Sequence, residues 1–165
     1  MPQTLEEQYI HLIQQHERII YKVINLHIDD PEDKKDLFQE ILLQAWKSFP
    51  GFKGNSSFST WLYRIALNTV FTYQKRATKT RQAKLTQAIG DTRVSEKQVL
   101  HEQLYETIRQ LDRVDRTLIT LHLDGYKNKE IAEITGMTSN HINVKIHRLK
   151  NQIVDQLKKQ KDGYQ

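Results

Sequence analysis

The chain of 165 residues contains no cysteine, so it has neither a disulfide framework nor a thiolate metal site, and redox conditions do not restrict where it works. No apolar run approaches the roughly 18 residues that a membrane span requires, and residues 1 to 7 are polar and acidic rather than a secretory leader. The expectation is a soluble cytoplasmic protein without membrane insertion, in which Asn55-Ser56-Ser57 fits the N-glycosylation pattern only by chance. Three prolines and six glycines are few, and no alternating apolar stretch is long enough to make a sheet. A phosphate-cradling glycine loop and a strand-turn-helix serine motif are both missing. His11 and His16 lie five apart and His141 and His147 six apart, which misses the i, i+4 spacing of a helical metal pair. No metal, no cofactor and no enzymatic activity are therefore expected, and Asp112, Asp115 and Glu130 read as ordinary carboxylates on charged helices.

What remains is helical period almost throughout, together with a formal charge of +5 that is unevenly spread. Residues 1 to 40 hold nine Asp or Glu against four Lys or Arg, whereas residues 75 to 84 hold five bases and no acid. A plain polyanion binder has no need of an acidic first quarter, so two differently charged partners fit better.

The fold class is all-α, as two small helical domains on a flexible linker. Tyr9, Leu12, Ile13, His16, Ile19, Ile20, Val23 and His27 predict a first helix over residues 5 to 27, ended by Asp29-Asp30-Pro31. Phe38, Ile41, Leu42, Ala45, Trp46 and Phe49 follow helical spacing over residues 31 to 49, and Pro50-Gly51 stops them. A Gly, Asn and Ser-rich loop then leads to a third helix over residues 58 to 80, which completes a domain of residues 1 to 80. From 81 to 98 the period fades and Gly90-Asp91-Thr92 intervenes, although Leu85, Ala88 and Ile89 are compatible with a short helix; this is the linker. A four-helix domain of residues 99 to 160 follows, with 161 to 165 as a tail. About 15 linker residues reach on the order of 50 Å when extended, more than one DNA turn of about 34 Å.

Residues 128 to 149 read as a DNA-binding helix-turn-helix. Ile131, Ala132 and Ile134 give the first helix its apolar side, Gly136 suits a left-handed turn, and Thr138 or Ser139 can cap the second helix. Ile142, Ile146, Leu149, Ile153 and Leu157 then recur at helical spacing, while Asn140, Asn143, Lys145, Arg148 and Lys150 supply groups for base edges and phosphates. An ordinary helical hairpin with a solvated charged face is the competing reading.

Residues 52 to 76 concentrate aromatics and bases: Phe52, Lys53, Phe58, Trp61, Tyr63, Arg64, Phe71, Tyr73, Lys75 and Arg76. Leu62, Ile65, Ala66, Thr69 and Tyr73 line one side of the third helix. Trp61, Arg64, Asn68, Phe71 or Thr72, and Lys75 line another, a composition that suits stacking on unpaired bases with cations along the backbone. Core packing of the aromatics is the alternative.

In order along the chain, Asp36-Leu37-Phe38-Gln39-Glu40 running to Ala45-Trp46, then Phe52-Lys53-Gly54, then Phe58-Ser59-Thr60-Trp61-Leu62-Tyr63-Arg64-Ile65-Ala66-Leu67-Asn68 resemble region two of the sigma-70 family. More narrowly, the likeness is to its small extracytoplasmic-function class of alternative sigma factors of bacterial RNA polymerase. Leu111-Asp112, Gly125-Tyr126, Glu130-Ile131-Ala132 and the stretch to His147-Arg148 resemble region four, with no region three between. The resemblance implies promoter recognition and opening with core RNA polymerase as partner, through its clamp helices and flap, and an anti-sigma factor as a further partner. It implies that Asp36, Gln39, Glu40 and Leu43 dock on the clamp helices. Phe52, Lys53, Asn55, Phe58, Trp61, Arg64, Asn68, Lys75 and Arg76 would handle the opened minus-10 strand. Ser139, Asn140, Asn143, Lys145, His147 and Arg148 would read the minus-35 duplex. Asn143 stands where the family often has Lys or Arg, and Ser139-Asn140-His141 replaces a Val-Gly-Thr run, so promoter preference does not carry over.

A conventional helix-turn-helix regulator with an N-terminal dimerisation or ligand domain would explain the second half equally well. It does not account for the acidic face around Glu40 or the aromatic and basic block. A helical adaptor with no DNA role leaves the recognition helix's cationic face as coincidence.

Overall fold

The computed structural model describes residues 1–80 and 96–163. Its helices begin where side chains can satisfy the free N–H groups of a first turn. Thr4 and Glu7 form a reciprocal cap on α1 (Leu5–His27), Glu7 N donating to Thr4 Oγ1 at 3.2 Å and Thr4 N to Glu7 Oε2 at 2.9 Å. Asp30 caps α2 (Pro31–Ser48) by accepting from Glu32 N and Asp33 N, with Pro31 in the first turn. A 3-10 turn, Phe49–Gly51, closes α2, and Ser57 Oγ accepts from Thr60 N to open α3 (Phe58–Thr80).

The three helices bury one stripe each. Ile20, Val23 and Ile24 of α1 meet Leu37, Ile41 and Ala45 of α2 and Leu62, Tyr63, Ala66 and Val70 of α3. Periodicity places these stripes nearly correctly, but the structure turns two of them. In α1 Leu12, His16 and Ile19 are half-buried while Ile24 and Leu26 are buried, because two helices cover α1 from different sides. In α2 the core takes Leu37 in place of Phe38, and Phe38, Leu42 and Trp46 instead seal the edge against α1. Tyr21 stacks on Phe38 at 4.7 Å, the Tyr9 hydroxyl donates to Leu42 O at 2.7 Å, and the Tyr9 and Trp46 rings lie 5.0 Å apart.

The chain divides into two compact units, Met1–Leu85 and Thr86–Gln165. The second holds four helices among the described residues: α4 (Glu96–Arg109), α5 (Arg113–Leu123), α6 (Asn128–Thr135) and α7 (Ser139–Asp162). Helix α4 starts inside the stretch expected as linker, and α7 runs two residues into the expected tail; residues 81–95, with the possible helix at Leu85, Ala88 and Ile89, lie outside the described residues. The Arg116 guanidinium donates to Arg109 O and Leu111 O and so closes the α4–α5 turn. Leu118, Ile119 and Leu121 of α5 pack with Ile131 and Ile134 of α6 and Ile142, Ile146, Leu149 and Ile153 of α7. No strand occurs among the described residues, as expected for an all-α chain.

Gly136 joins α6 to α7 at φ 76°, and its N–H donates to Ala132 O at 2.8 Å. No atom lies within 4 Å of where its Cβ would stand, so only the backbone requires glycine here. Gly136→Ala is expected to destabilise the second unit by about 1–2 kcal/mol, the usual cost of a left-handed residue with a side chain. Chemical denaturation checks this; an unchanged unfolding curve would show that the turn relaxes.

Candidate functional site

With its buried stripe facing α1 and α3, α2 leaves Asp36, Gln39, Glu40 and Leu43 exposed along one ridge. The ridge divides two grooves. Asp36 and Glu40 border the one against α3, a space of about 580 Å³ that also receives Asn68, Thr72 and Arg76. Gln39 and Leu43 border an apolar groove against α1, about 410 Å³, lined also by Ile10, Ile13 and Gln14. Ile10 and Leu43 are each 45% exposed, a large fraction for apolar side chains that share a groove. Sequence periodicity missed Ile10 and Gln14, since both fall off the buried stripe of α1; the signal was an isoleucine without a place in the pattern.

The aromatic residues of the loop and α3 form a cluster rather than an open row. Phe49 and Phe58 are buried, and Phe52 and Trp61 are half-buried against them. Ring centroids separate by 5.0 Å for Phe52–Trp61, 5.2 Å for Phe58–Trp61 and 5.7 Å for Phe52–Phe58, with Tyr9 5.4 Å from Phe49 and His16 5.1 Å from Phe58. Such offset and edge-on pairs contribute about 0.5–1.5 kcal/mol each beyond area burial. Phe58 therefore sits under the surface, where it supports Trp61 and Phe52 and cannot itself stack on a base. Lys53 and Asn55 are exposed at the loop tip, where Gly54 takes φ 75°.

Beyond Trp61, Arg64, Asn68, Thr72 and Lys75 continue as an exposed polar strip along α3. Of the two residues that spacing left open, Thr72 belongs to this strip, whereas Phe71 meets His27 of α1 edge-on at 5.2 Å. On the α2 side Asn68 and Thr72 of the strip, with Arg76 beside them, border the groove across from Asp36 and Glu40.

In the second unit, α6, Gly136 and α7 form the helix-turn-helix. Thr138 caps α7 by accepting from His141 N at 3.3 Å. Ser139, Asn140, Asn143, His147 and Arg148 are all exposed. Asn128 of α6 donates to Asn143 Oδ1 at 3.5 Å, a long contact that links the two helices. Lys145 behaves differently. Its ammonium meets Asp115 of α5 at 2.7 Å, with both side chains mostly covered, and so leaves the exposed row. Beside it, Asp112 caps α5, and the hydrogen bond from Asp115 N, with help from Val114 N and the Lys145 charge, holds its carboxyl below the usual aspartate value against desolvation. That cap's contribution is complete above about pH 4, the ordinary aspartate pKa, and fades as pH falls through the lowered one.

Comparison with known proteins places this geometry. The sigma-70 region 2 family matches residues 12–80, and the sigma-70 region 4 family matches residues 101–153. The ECF RNA polymerase sigma-E factor of Escherichia coli K12 is 32% identical over 137 residues, covering 73% of this chain and 72% of its own length. Its Haemophilus influenzae counterpart is 30% identical over 141 residues, covering 76% and 75%. The chain belongs to the extracytoplasmic-function class of the sigma-70 family.

Two solved structures share the fold. CnrH, in complex with the cytosolic domain of CnrY, aligns with a TM-score of 0.65 at 18% identity over 91% of this chain and 87% of that one. The sigma factor RpoE of Bartonella quintana, in complex with the anti-sigma factor NepR, aligns at 0.67 and 19% over 90% and 94%. Within the sigma-70 frame, the α2 ridge, the aromatic cluster and the α3 strip belong to region 2, and the helix-turn-helix belongs to region 4. The region 2 match accounts for the half of the chain that a conventional regulator left unexplained. No helix among the described residues is long and apolar enough to cross a membrane.

The Lys145–Asp115 pair has a measurable consequence. Lys145→Met and Asp115→Asn are each expected to destabilise the second unit by up to about 1 kcal/mol, and together by less than their sum. Lys145→Met is also expected to leave the salt dependence of promoter binding intact. A log–log slope shallower by about one would instead make Lys145 a phosphate contact.

Proposed function

We propose that this sigma factor, which binds core RNA polymerase and directs promoter recognition and opening, divides that work among three surfaces. The α2 ridge of Asp36, Gln39, Glu40 and Leu43 takes the polymerase clamp helices, with Ile10 and Gln14 extending the same surface across the α1 groove. Acidic and apolar side chains side by side suit a protein partner better than DNA, which would be repelled by Asp36 and Glu40. On α3, Arg64, Asn68, Lys75 and Arg76 track the opened strand of the minus-10 element. Phe52 and Trp61 offer the accessible parts of their rings to its bases, and Lys53 and Asn55 flank them at the loop tip. Helix α7 enters the minus-35 major groove with Ser139, Asn140, Asn143, His147 and Arg148, and its carrier unit reaches the polymerase flap. Lys145 orients α7 through Asp115.

The observation that carries this reading is the unbroken polar strip on α3 that starts at the half-buried Trp61 and runs through Arg64, Asn68 and Lys75. A helix whose only task was packing would have no reason to line its open face with alternating hydrogen-bonding and cationic groups beside an aromatic shelf. The chain acts in the cytoplasm, where the polymerase is. An anti-sigma factor sequesters it, as one holds the Bartonella quintana relative. The half-exposed Ile10 and Leu43 provide apolar contact area for such a partner.

Run-off transcription on genomic fragments with sigma-free bacterial core polymerase tests the reading as a whole: promoter-specific transcripts are expected only when the protein is added. DNA binding that needs no core would return the chain to the conventional regulators. Within the complex, Trp61→Ala is expected to reduce permanganate reactivity of the opened strand by roughly tenfold. That is about 1.4 kcal/mol, within the range supplied by one stacked base. Closed-complex binding should change much less, and equal losses in the two measurements would contradict a stacking role.

A further inference from the structure

Helix α7 leaves two valines half-exposed, Val154 in its second half and Val144 in its second turn. Val144 is 51% exposed, two residues from buried Ile142 and two from buried Ile146, so it projects from the side of the helix opposite the core. Asn140 lies one turn before it and His147 and Arg148 one turn after, all exposed. Valine at a solvated helical position is about half a kcal/mol worse than alanine, because its branched Cβ loses rotamer freedom. Half-exposed on the side away from the core, Val144 is explained neither by helix formation nor by core packing.

Its position suggests a ligand. The first turns of a recognition helix are the part that meets base edges, and the residues around Val144 are hydrogen-bonding types suited to adenine and guanine. The apolar group that the major groove offers is the C5-methyl of thymine. A valine is short and stiff at χ1, so its two methyls can cover such a group only where the helix backbone comes close, as it does in its first two turns. Lys145, the next residue, is drawn away to Asp115 and does not compete for that space.

We propose that Val144 is a specificity-determining residue that packs against the C5-methyl of one thymine in the minus-35 duplex. The inference rests on the reading of α7 as the helix that enters the groove. It adds a base preference that hydrogen-bonding residues alone would not give, since removing the methyl leaves every donor and acceptor of the base in place.

That difference is also the test. Holoenzyme is assembled from core polymerase and the full chain, on a promoter fragment that run-off transcription has identified. Each thymine of the minus-35 element is then replaced, one at a time, by deoxyuridine. For the unaltered protein one replacement is expected to weaken binding about fourfold, the equivalent of ~0.8 kcal/mol for one buried methyl-sized group. Val144→Ala should bind the thymine promoter less well and be indifferent to deoxyuridine at that position. The inference is overturned if no replacement affects the unaltered protein, or if Val144→Ala keeps the same sensitivity. It is also overturned if Val144→Ala weakens thymine and deoxyuridine promoters alike, which would assign the side chain to a protein surface. Arg148→Ala separates the two levels: weakened promoter binding upholds α7 as the groove helix whatever Val144 does, whereas undiminished binding removes that reading and this inference with it.

Discussion

Each helix of this protein has one apolar stripe to bury, and the packing of those stripes decides where every polar side chain is presented. In the first unit α1 touches both other helices, so α2 and α3 are held side by side with their backs to solvent. The same burial of Ile41 and Ala45 that holds α2 in place sets Asp36 and Glu40 facing outward, and that of Leu62, Ala66 and Val70 does the same for Arg64 and Asn68. Turning α3 by one residue, about 100°, would carry Arg64 toward the core, where an unpaired charge costs far more than any single apolar contact returns. Function and fold are therefore set by one register, and no separate device is needed to display the surfaces.

The aromatic cluster is the second consequence of limited core. A unit of this size has little interior, and at the end of the bundle beyond α2 the gap is filled by rings from α1, the 3-10 turn, the loop and α3 together. Phe49 and Phe58 anchor the loop from beneath, so Phe52 and Trp61 are held in place by the cluster itself. On the proposed reading, strand binding then loses less conformational entropy than it would with a free loop, which is the ordinary advantage of preorganisation.

Helix positions and the glycine turn were legible in the chain itself, because spacing of apolar residues and capping chemistry are local. The spans of α1 and α3 follow from periodicity together with the breakers Asp29-Asp30-Pro31 and the Gly, Asn and Ser-rich loop, and Gly136 follows from the need for a left-handed residue between α6 and α7. What was not legible depended on distant partners. Phe58 and Trp61 look alike beside lysines and arginines in sequence. The approach of His16 from α1 to Phe58 alone helps to distinguish the buried ring from the accessible one. Lys145 likewise sits in a run of polar residues that all suit DNA, and its partner Asp115 lies 30 positions away. The edge residues Phe38 and Trp46 were misjudged for a related reason: a helical stripe marks what is apolar, while coverage from one or two sides determines what is buried.

These placements bear on how a strand could be opened without a nucleotide cofactor. Separating duplex costs about 1.4 kcal/mol per base-pair step, and each base stacked on an aromatic ring returns roughly 1–3 kcal/mol. With Phe58 enclosed, the proposed reading leaves two rings, Phe52 and Trp61, each with part of its surface already covered by the cluster. Two stacked bases offset about 2–6 kcal/mol, enough for roughly one to four steps. A longer bubble must draw on other sources. On the same reading the cations of the α3 strip hold the strand by its phosphates, but that attraction acts on duplex as well as on single strand and so favours opening only where the strand's path differs from that of a duplex. The polymerase must therefore supply the difference by fixing that path, and its proposed attachment on the acidic ridge of α2 lies across a groove from Asn68 and Arg76. On this balance the free protein has little capacity to melt DNA, and opening belongs to the assembled complex.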